Sequence, residues 1–239
     1  MTCSSAFHSL LVARGFVGSG MCRAAVFGGA EACLTPYTLA QLEALRIYTT
    51  ATDAWPCRPF ADGEEVRSSV ALGEGAGTAI LQMSDGVSAP GDLEVLGLGW
   101  AMEEIPSATG ISADGAAFEA SMRMAVGQLP ENTSVDCVVA HAPGTRRGDE
   151  AELRAIVRVF GEVGVVSTKH LTGHTYAASG MLSLALAQAL LYGEGWGGFP
   201  FPARVSPILR GAPRAVAINT AGFGGNSITL IVGRPAGVE

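Results

Sequence analysis

A thiol, two imidazoles and an amine occupy positions in this sequence that suit covalent acyl chemistry. Cys3 stands where a predicted helix begins, and the partial positive charge of a helix N-terminus favours thiolate over thiol. His141 follows the apolar run "VDCVVA", and His174 sits between glycine and threonine in "STKHLTGHTYAASG", Ser167 to Gly180. Lys169, in that same stretch, is the one lysine among 15 Lys+Arg residues. A solvated charge here is otherwise arginine, so a lone ammonium on a thin stem points to a place where a guanidinium does not fit. The glycine loop "GFGG", Gly222 to Gly225, offers backbone amides that can approach a reacting carbonyl. Each residue has a plainer reading when taken singly: a core cysteine, a packed histidine, a surface lysine.

Elements able to position them can be read along the chain. A helix is expected from Thr2–Cys3 to about Val17, and "RAAVFGGAEA" reads as a short strand ending in glycines. "TPYTLAQLEALR" begins a helix at Thr35–Pro36. "SSVALGEGAGTAILQM" and "DLEVLGLGWAM" read as strands joined by the turn "SDGVSAPG". "AAFEASMRMAVGQL" is an amphipathic helix, and "VDCVVAHAPG" is a strand running into a glycine loop. Behind it come the helix "GDEAELRAIVRVFG", the strand "VGVVSTK", a helix from Ala177 and a closing hairpin over "RAVAINTAGFGGNSITLIVG". Alternation of this kind, without linkers or short repeats, implies one compact α/β unit.

Composition narrows the function classes. The chain has 239 residues, 48% hydrophobic and 15% charged, with net charge −7, which argues against nucleic acid as the main partner. Five cysteines without a C-x-x-C pair fit a reducing compartment better than a disulfide framework or zinc knuckle. The start "MTCSSAFHSLLVARG" lacks a signal-peptide pattern, and the most apolar run, "AASGMLSLALAQALLYG", is interrupted by Ser183 and Gln188. A cytoplasmic protein with no membrane partner is expected.

Six blocks occur in one order along the chain: "TCSSAFHSL", "GGAEACLTPYTLAQLEALR", "CRPFADGEE…LGEGAG", "HAPGTRRGDEAEL", "STKHLTGHTYAASG" and "NTAGFGGNS". In content and order the sequence resembles the β-ketoacyl-acyl-carrier-protein synthases. The resemblance implies a thiolase-like layered αβαβα architecture, with an incomplete N-terminal half over residues 1–104 and a complete C-terminal half over 105–239. It implies that Cys3 is the nucleophile and that His141 and His174 promote decarboxylation of a malonyl thioester. It also implies that Lys169 pairs with Glu152, and that Phe223, between Gly222 and Gly224, gates the acyl pocket. The backbone amides of Cys3 and Phe223 would form the oxyanion hole. Thr145, Asp149 and Thr172 are expected to support the network. Asp149 is equally placed to cap the helix near Gly148, and the plainer reading of Glu152, secondary to the pairing with Lys169, is an ordinary exposed helix acid. No metal or cofactor is implied; substrates would arrive on the 4′-phosphopantetheine of an acyl carrier protein.

Relatives carry a substantial α/β segment ahead of the nucleophile, whereas Cys3 follows the initiator by one residue. Strands such as that around Arg23–Phe27 are therefore expected to show unpaired edges and exposed apolar faces. The resemblance leaves open a fragment, a chain completed by a second polypeptide, or a member kept for binding. Either a homodimer or a heterodimer with a complete ketosynthase is expected. Two functions follow: decarboxylating Claisen condensation through acyl-Cys3, or a partner-dependent subunit like a chain-length factor. Ala142 and Pro143 replace the usual glycine and threonine, Ala221 replaces a common aromatic, and "EEVRSSVALGEG" lacks the usual Asp-Gly-Phe segment.

Overall fold

The computed structural model describes residues 3–63, 68–104, 111–205 and 211–237. The part of "EEVRSSVALGEG" over 64–67 lies outside them, as does Thr2, the expected helix start. Helix α1 runs Ser5–Gly18, followed by strand β1, Ala24–Glu31, and helix α2, Pro36–Ala44. Strands β2, Gly75–Gln82, and β3, Glu94–Met102, precede helix α3, Ala116–Val126. Then come β4, Cys137–Val139; α4, Arg146–Phe160; β5, Gly164–Val166; and the four-residue α5, Lys169–Thr172. A 3-10 turn, Tyr176–Ala178, leads into α6, Ser179–Leu191, and the hairpin β6, Ala215–Gly222, with β7, Asn226–Gly233, closes the fold.

The strands form two sheets, β1–β2 and β3-β7-β6-β4-β5. Between them lie α1 and α6, both apolar on most sides; α6 is buried along much of its length, whereas α1 buries one face and leaves Val12 and Phe16 exposed. Phe7, Leu10, Phe27, Met181, Leu190 and Ile228 belong to the core of this middle layer. The other face of the large sheet is covered by α3 and α4, whose Phe118, Met122 and Ile156 pack against Val138, Val165 and Ile231. The result is a layered α/β fold of sheet, helices, sheet and helices. β6 and β7 are buried along almost their whole length, as strands covered on both faces must be.

Two expectations need revision. "SDGVSAPG" does not close a hairpin: β2 pairs with β1 in antiparallel register, while β3 pairs with β7. The segment crosses from one sheet to the other. The expected division after residue 104 also leaves β3 in the first part, whereas its hydrogen bonds join it to the second sheet. The exposed face anticipated near Arg23–Phe27 is present: Val26 and Ile80, directly opposed, are 70% and 68% exposed.

Candidate active site

The sulfur of Cys3 lies two residues ahead of the first residue of α1, whose opening turn is closed by the Phe7 and His8 amides donating to Ser4 O. It is buried, and His174 Nε2 stands 3.1 Å from Sγ. The other ring nitrogen, Nδ1, is 3.1 Å from Ser179 Oγ at the start of α6, and that oxygen is 3.2 Å from Thr175 Oγ1. The His141 and His174 rings meet edge to face with centroids 5.4 Å apart. His141 Nδ1 is buried with no hydrogen-bond partner. The Tyr176 ring also lies against His174, with centroids 5.0 Å apart.

Burial governs the protonation of this cluster. Loss of water, with the nearby Lys169 charge, pushes His141 down to about 3 and His174 well below its ordinary value of 6.5. Both imidazoles are therefore neutral at physiological pH, the form that donates one N–H without being acidic. Lys169, 1% exposed, is itself lowered by desolvation and held up by Cys57, Cys3, Glu152 and Asp149.

Glu152 is fully buried, which excludes an ordinary exposed helix acid. Its expected pairing with Lys169 needs correction. The carboxylate accepts the His141 and Ala142 amides, both at 2.8 Å, and the Asn219 side-chain amide at 3.0 Å. Lys169 acts on it electrostatically, with no direct ion pair among the described residues. Glu152 thus fixes the backbone that aims His141. That loop needs fixing, since Ala142 has φ of 22°, a region that favours glycine.

Asp149 does not cap α4, whose N-cap is Thr145. It accepts the Gly144 amide at 3.2 Å and the Phe60 amide at 3.0 Å, joining the His141 loop to a distant turn. Burial pushes its carboxyl up to about 7. Thr172 donates to Thr168 O and Gly173 O, and so braces α5. Thr145 contributes its carbonyl, which receives the Asp149 amide.

The glycine loop abuts the nucleophile. A Cβ on Gly222 would lie 3.1 Å from Ser4 Oγ, and Ser4 Oγ donates to Asn226 Oδ1 at 2.6 Å. Asn226 Nδ2 in turn donates to Phe223 O at 3.0 Å and Gly222 O at 3.3 Å. Phe223 is 38% exposed, and Gly224 has φ of +97° with open space around its α-carbon. Ser4 and Asn226 were within the motif blocks, but spacing alone gave no sign that one holds the other.

Segment 69–73 completes the frame. Ser69 N donates to Gly144 O, His174 N to Ala71 O, and Gly73 N to His174 O. Both histidine loops therefore hang on one short stretch of backbone. A Cβ on Gly73 would meet Thr172 O at 1.8 Å, so only glycine allows this approach.

Comparison with known proteins gives the family and the fold. A family model described as the β-ketoacyl synthase N-terminal domain matches residues 2–85, and one described as the C-terminal domain matches residues 94–194. The chain belongs to the β-ketoacyl synthase family. Among curated members, it is 33% identical over 190 residues to 3-oxoacyl-[acyl-carrier-protein] synthase 2 of Vibrio harveyi. It is 34% identical over 194 residues to nodulation protein E of Rhizobium leguminosarum bv. trifolii. These alignments cover 74% and 76% of this synthase-family chain, and the chain spans 45% of the length of each relative. A β-ketoacyl synthase from Burkholderia phymatum STM815 superposes with TM-score 0.79 at 26% identity, over 98% of this chain and 60% of that one. A type II polyketide ketosynthase in complex with its acyl carrier protein gives TM-score 0.82 at 22% identity, over 98% and 62%. The fold is the thiolase-like fold of ketosynthases.

Among the described residues, no helix is long and apolar enough to cross a membrane.

Proposed function

We propose that this ketosynthase-family chain carries the condensing centre of a decarboxylating Claisen reaction in fatty acid or polyketide-like biosynthesis. The Cys3 thiolate takes an acyl group from a carrier-protein thioester, releasing the carrier thiol. Malonyl-carrier protein then loses carbon dioxide, and its enolate attacks the acyl-Cys3 carbonyl, expelling the thiolate. Neutral His141 and His174 suit the enolate oxygen, because each can donate a hydrogen bond throughout. The amides of Cys3 and Phe223 would face the tetrahedral oxyanion, a donor of this kind being worth about 3 kcal/mol. Lys169 and Glu152 hold the electrostatics and backbone of the pair. The observation that carries the reading is the buried 3.1 Å contact between Cys3 Sγ and His174 Nε2, with a second neutral imidazole against it.

Acyl carrier protein is the proposed partner, delivering substrates on its phosphopantetheine arm. A homodimer, or a heterodimer with a complete ketosynthase, is the proposed assembly. One observation favours a second reading, a partner-dependent subunit: the apolar face of β1–β2 that Val26 and Ile80 expose. A similar solved structure is a ketosynthase in complex with its chain length factor from Xenorhabdus doucetiae, at TM-score 0.80 and 25% identity. Carbon dioxide release from malonyl-carrier protein separates the two. Turnover by the purified chain that falls by about 100-fold or more in His174→Ala supports the enzyme. Turnover that requires an added synthase, and survives His174→Ala in this chain, supports the subunit.

A further inference from the structure

His170 lies within the block "STKHLTGHTYAASG" between Lys169 and His174, yet it has no part in the proposed chemistry although its side chain is buried. It is 7% exposed, and its Nδ1 is buried without a hydrogen-bond partner. Aromatic rings surround it instead. Phe199, Trp196, Trp55 and Phe201 have centroids 5.2, 5.8, 6.0 and 6.2 Å from the imidazole, three of them edge to face. Each of the four is itself only half-buried, so the imidazole is the centre of the cluster. The rings come from two segments remote in sequence, one before Cys57 and one after α6. Phe199 also packs on Phe60, whose amide donates to Asp149, so the shell reaches the network under His141.

What the shell holds is α5, and α5 carries Lys169. A helix of four residues has little stability of its own, and no side chain caps its N-terminus. With His170 packed into the shell, the neighbouring side chain of Lys169 leaves the helix about 100° away from it. It is buried there, within electrostatic reach of Cys3, Cys57, His141 and His174.

We infer that His170 and its aromatic shell are a positioning device that aims the Lys169 ammonium into the condensing centre. The inference rests on the reading of Lys169 as part of that centre. The ring acts on the shell by shape and contact, which its tie to the Ser167 backbone does not supply. A phenyl ring of nearly the same size should therefore replace it, while a methyl group should not.

The test reads the Lys169 charge at Cys3 without requiring condensation. The rate of Cys3 alkylation by iodoacetamide is followed against pH, located by peptide mass spectrometry, in the wild-type chain and in Lys169→Met, His170→Phe, His170→Ala and Phe199→Ala. Loss of a nearby cation raises a thiol pKa, so Lys169→Met is expected to move the midpoint up by about one unit. His170→Ala and Phe199→Ala are expected to move it in the same direction, and His170→Phe to leave it in place. Should His170→Ala fail to fold, Phe199→Ala decides. A folded Phe199→Ala or His170→Ala protein with the wild-type midpoint overturns the inference. So does an unshifted Lys169→Met, or a His170→Phe profile like that of His170→Ala. Failure of carbon dioxide release with these shifts intact would instead count against the proposed reaction alone.

Discussion

Glu152 is the residue on which the geometry of His141 depends most. Replacing it by alanine leaves two buried amides and the Asn219 side chain without their acceptor. At about 1–3 kcal/mol for each unsatisfied group, the expected loss is about 3 kcal/mol or more. Glu152→Gln keeps one acceptor oxygen and should lose roughly half as much. Urea denaturation measures both; equal stability of the alanine variant and the wild-type chain would contradict the role assigned to this carboxylate.

The histidines give a pH prediction whose sign is fixed. Each has a folded pKa far below its ordinary 6.5, so each favours folding above about pH 6.5, and that contribution is lost as pH falls toward 3. Asp149 works in the opposite sense. Raised from 3.8 to about 7, it favours folding most below 3.8 and loses that effect as pH rises through 7. A His141→Gln protein should therefore lose stability less steeply between pH 6.5 and 4. The difference is up to about 1.4 kcal/mol per pH unit, read from denaturation midpoints across that range. At this scale the sequence was informative about which residues matter and poor on what they touch. The chemistry of thiol, imidazoles and amine was legible from residue types in ordered blocks. That Glu152 grips amides, and that Ser4 grips Asn226, depends on the direction of loop backbones that no spacing rule encodes.

At the level of elements, the two histidine loops share one support. Segment 69–73 bonds to both, and Gly73 lies against the Thr172 carbonyl with no room for a methyl group. Gly73→Ala must push α5 and the His174 loop away. The expected cost is about 2 kcal/mol of stability, with a fall of about 100-fold in malonyl decarboxylation, since small misplacements of a reacting group are amplified in rate. Thermal unfolding and carbon dioxide release check the two parts separately; unchanged activity would mean the strap does not set the geometry. Most elements here were readable, because helices such as "AAFEASMRMAVGQL" and the β6–β7 hairpin carry their period and turn chemistry locally. The link between β2 and β3 was misleading for the same reason. "SDGVSAPG" has hairpin residues, but the faces of the strands choose their partners. β2 alternates between partly buried and exposed residues and pairs with β1, whereas β3 has a fully buried centre and belongs beside β7.

Seen whole, the molecule places its chemistry where its two sheets approach one middle layer. α1 presents Cys3 at its N-terminal end, α6 presents Ser179 at its own, and the loops after β4 and α5 bring His141 and His174 to meet them. The layered plan and the exposed face near β1 were implied by the family resemblance, whereas the alternation of strands and helices pointed only to one compact α/β unit. The arrangement of the chain into sheets of two and five strands was not, because pairing across the sheets is non-local. The central claim, that this layer holds an acylatable thiol served by two neutral imidazoles, is tested most directly by intact-protein mass spectrometry after incubation with an acyl-carrier-protein thioester. One acyl group on the wild-type chain, absent from Cys3→Ala and mapped to the peptide containing Cys3, is the predicted result. An unmodified wild-type chain, or acylation that persists in Cys3→Ala, would contradict it.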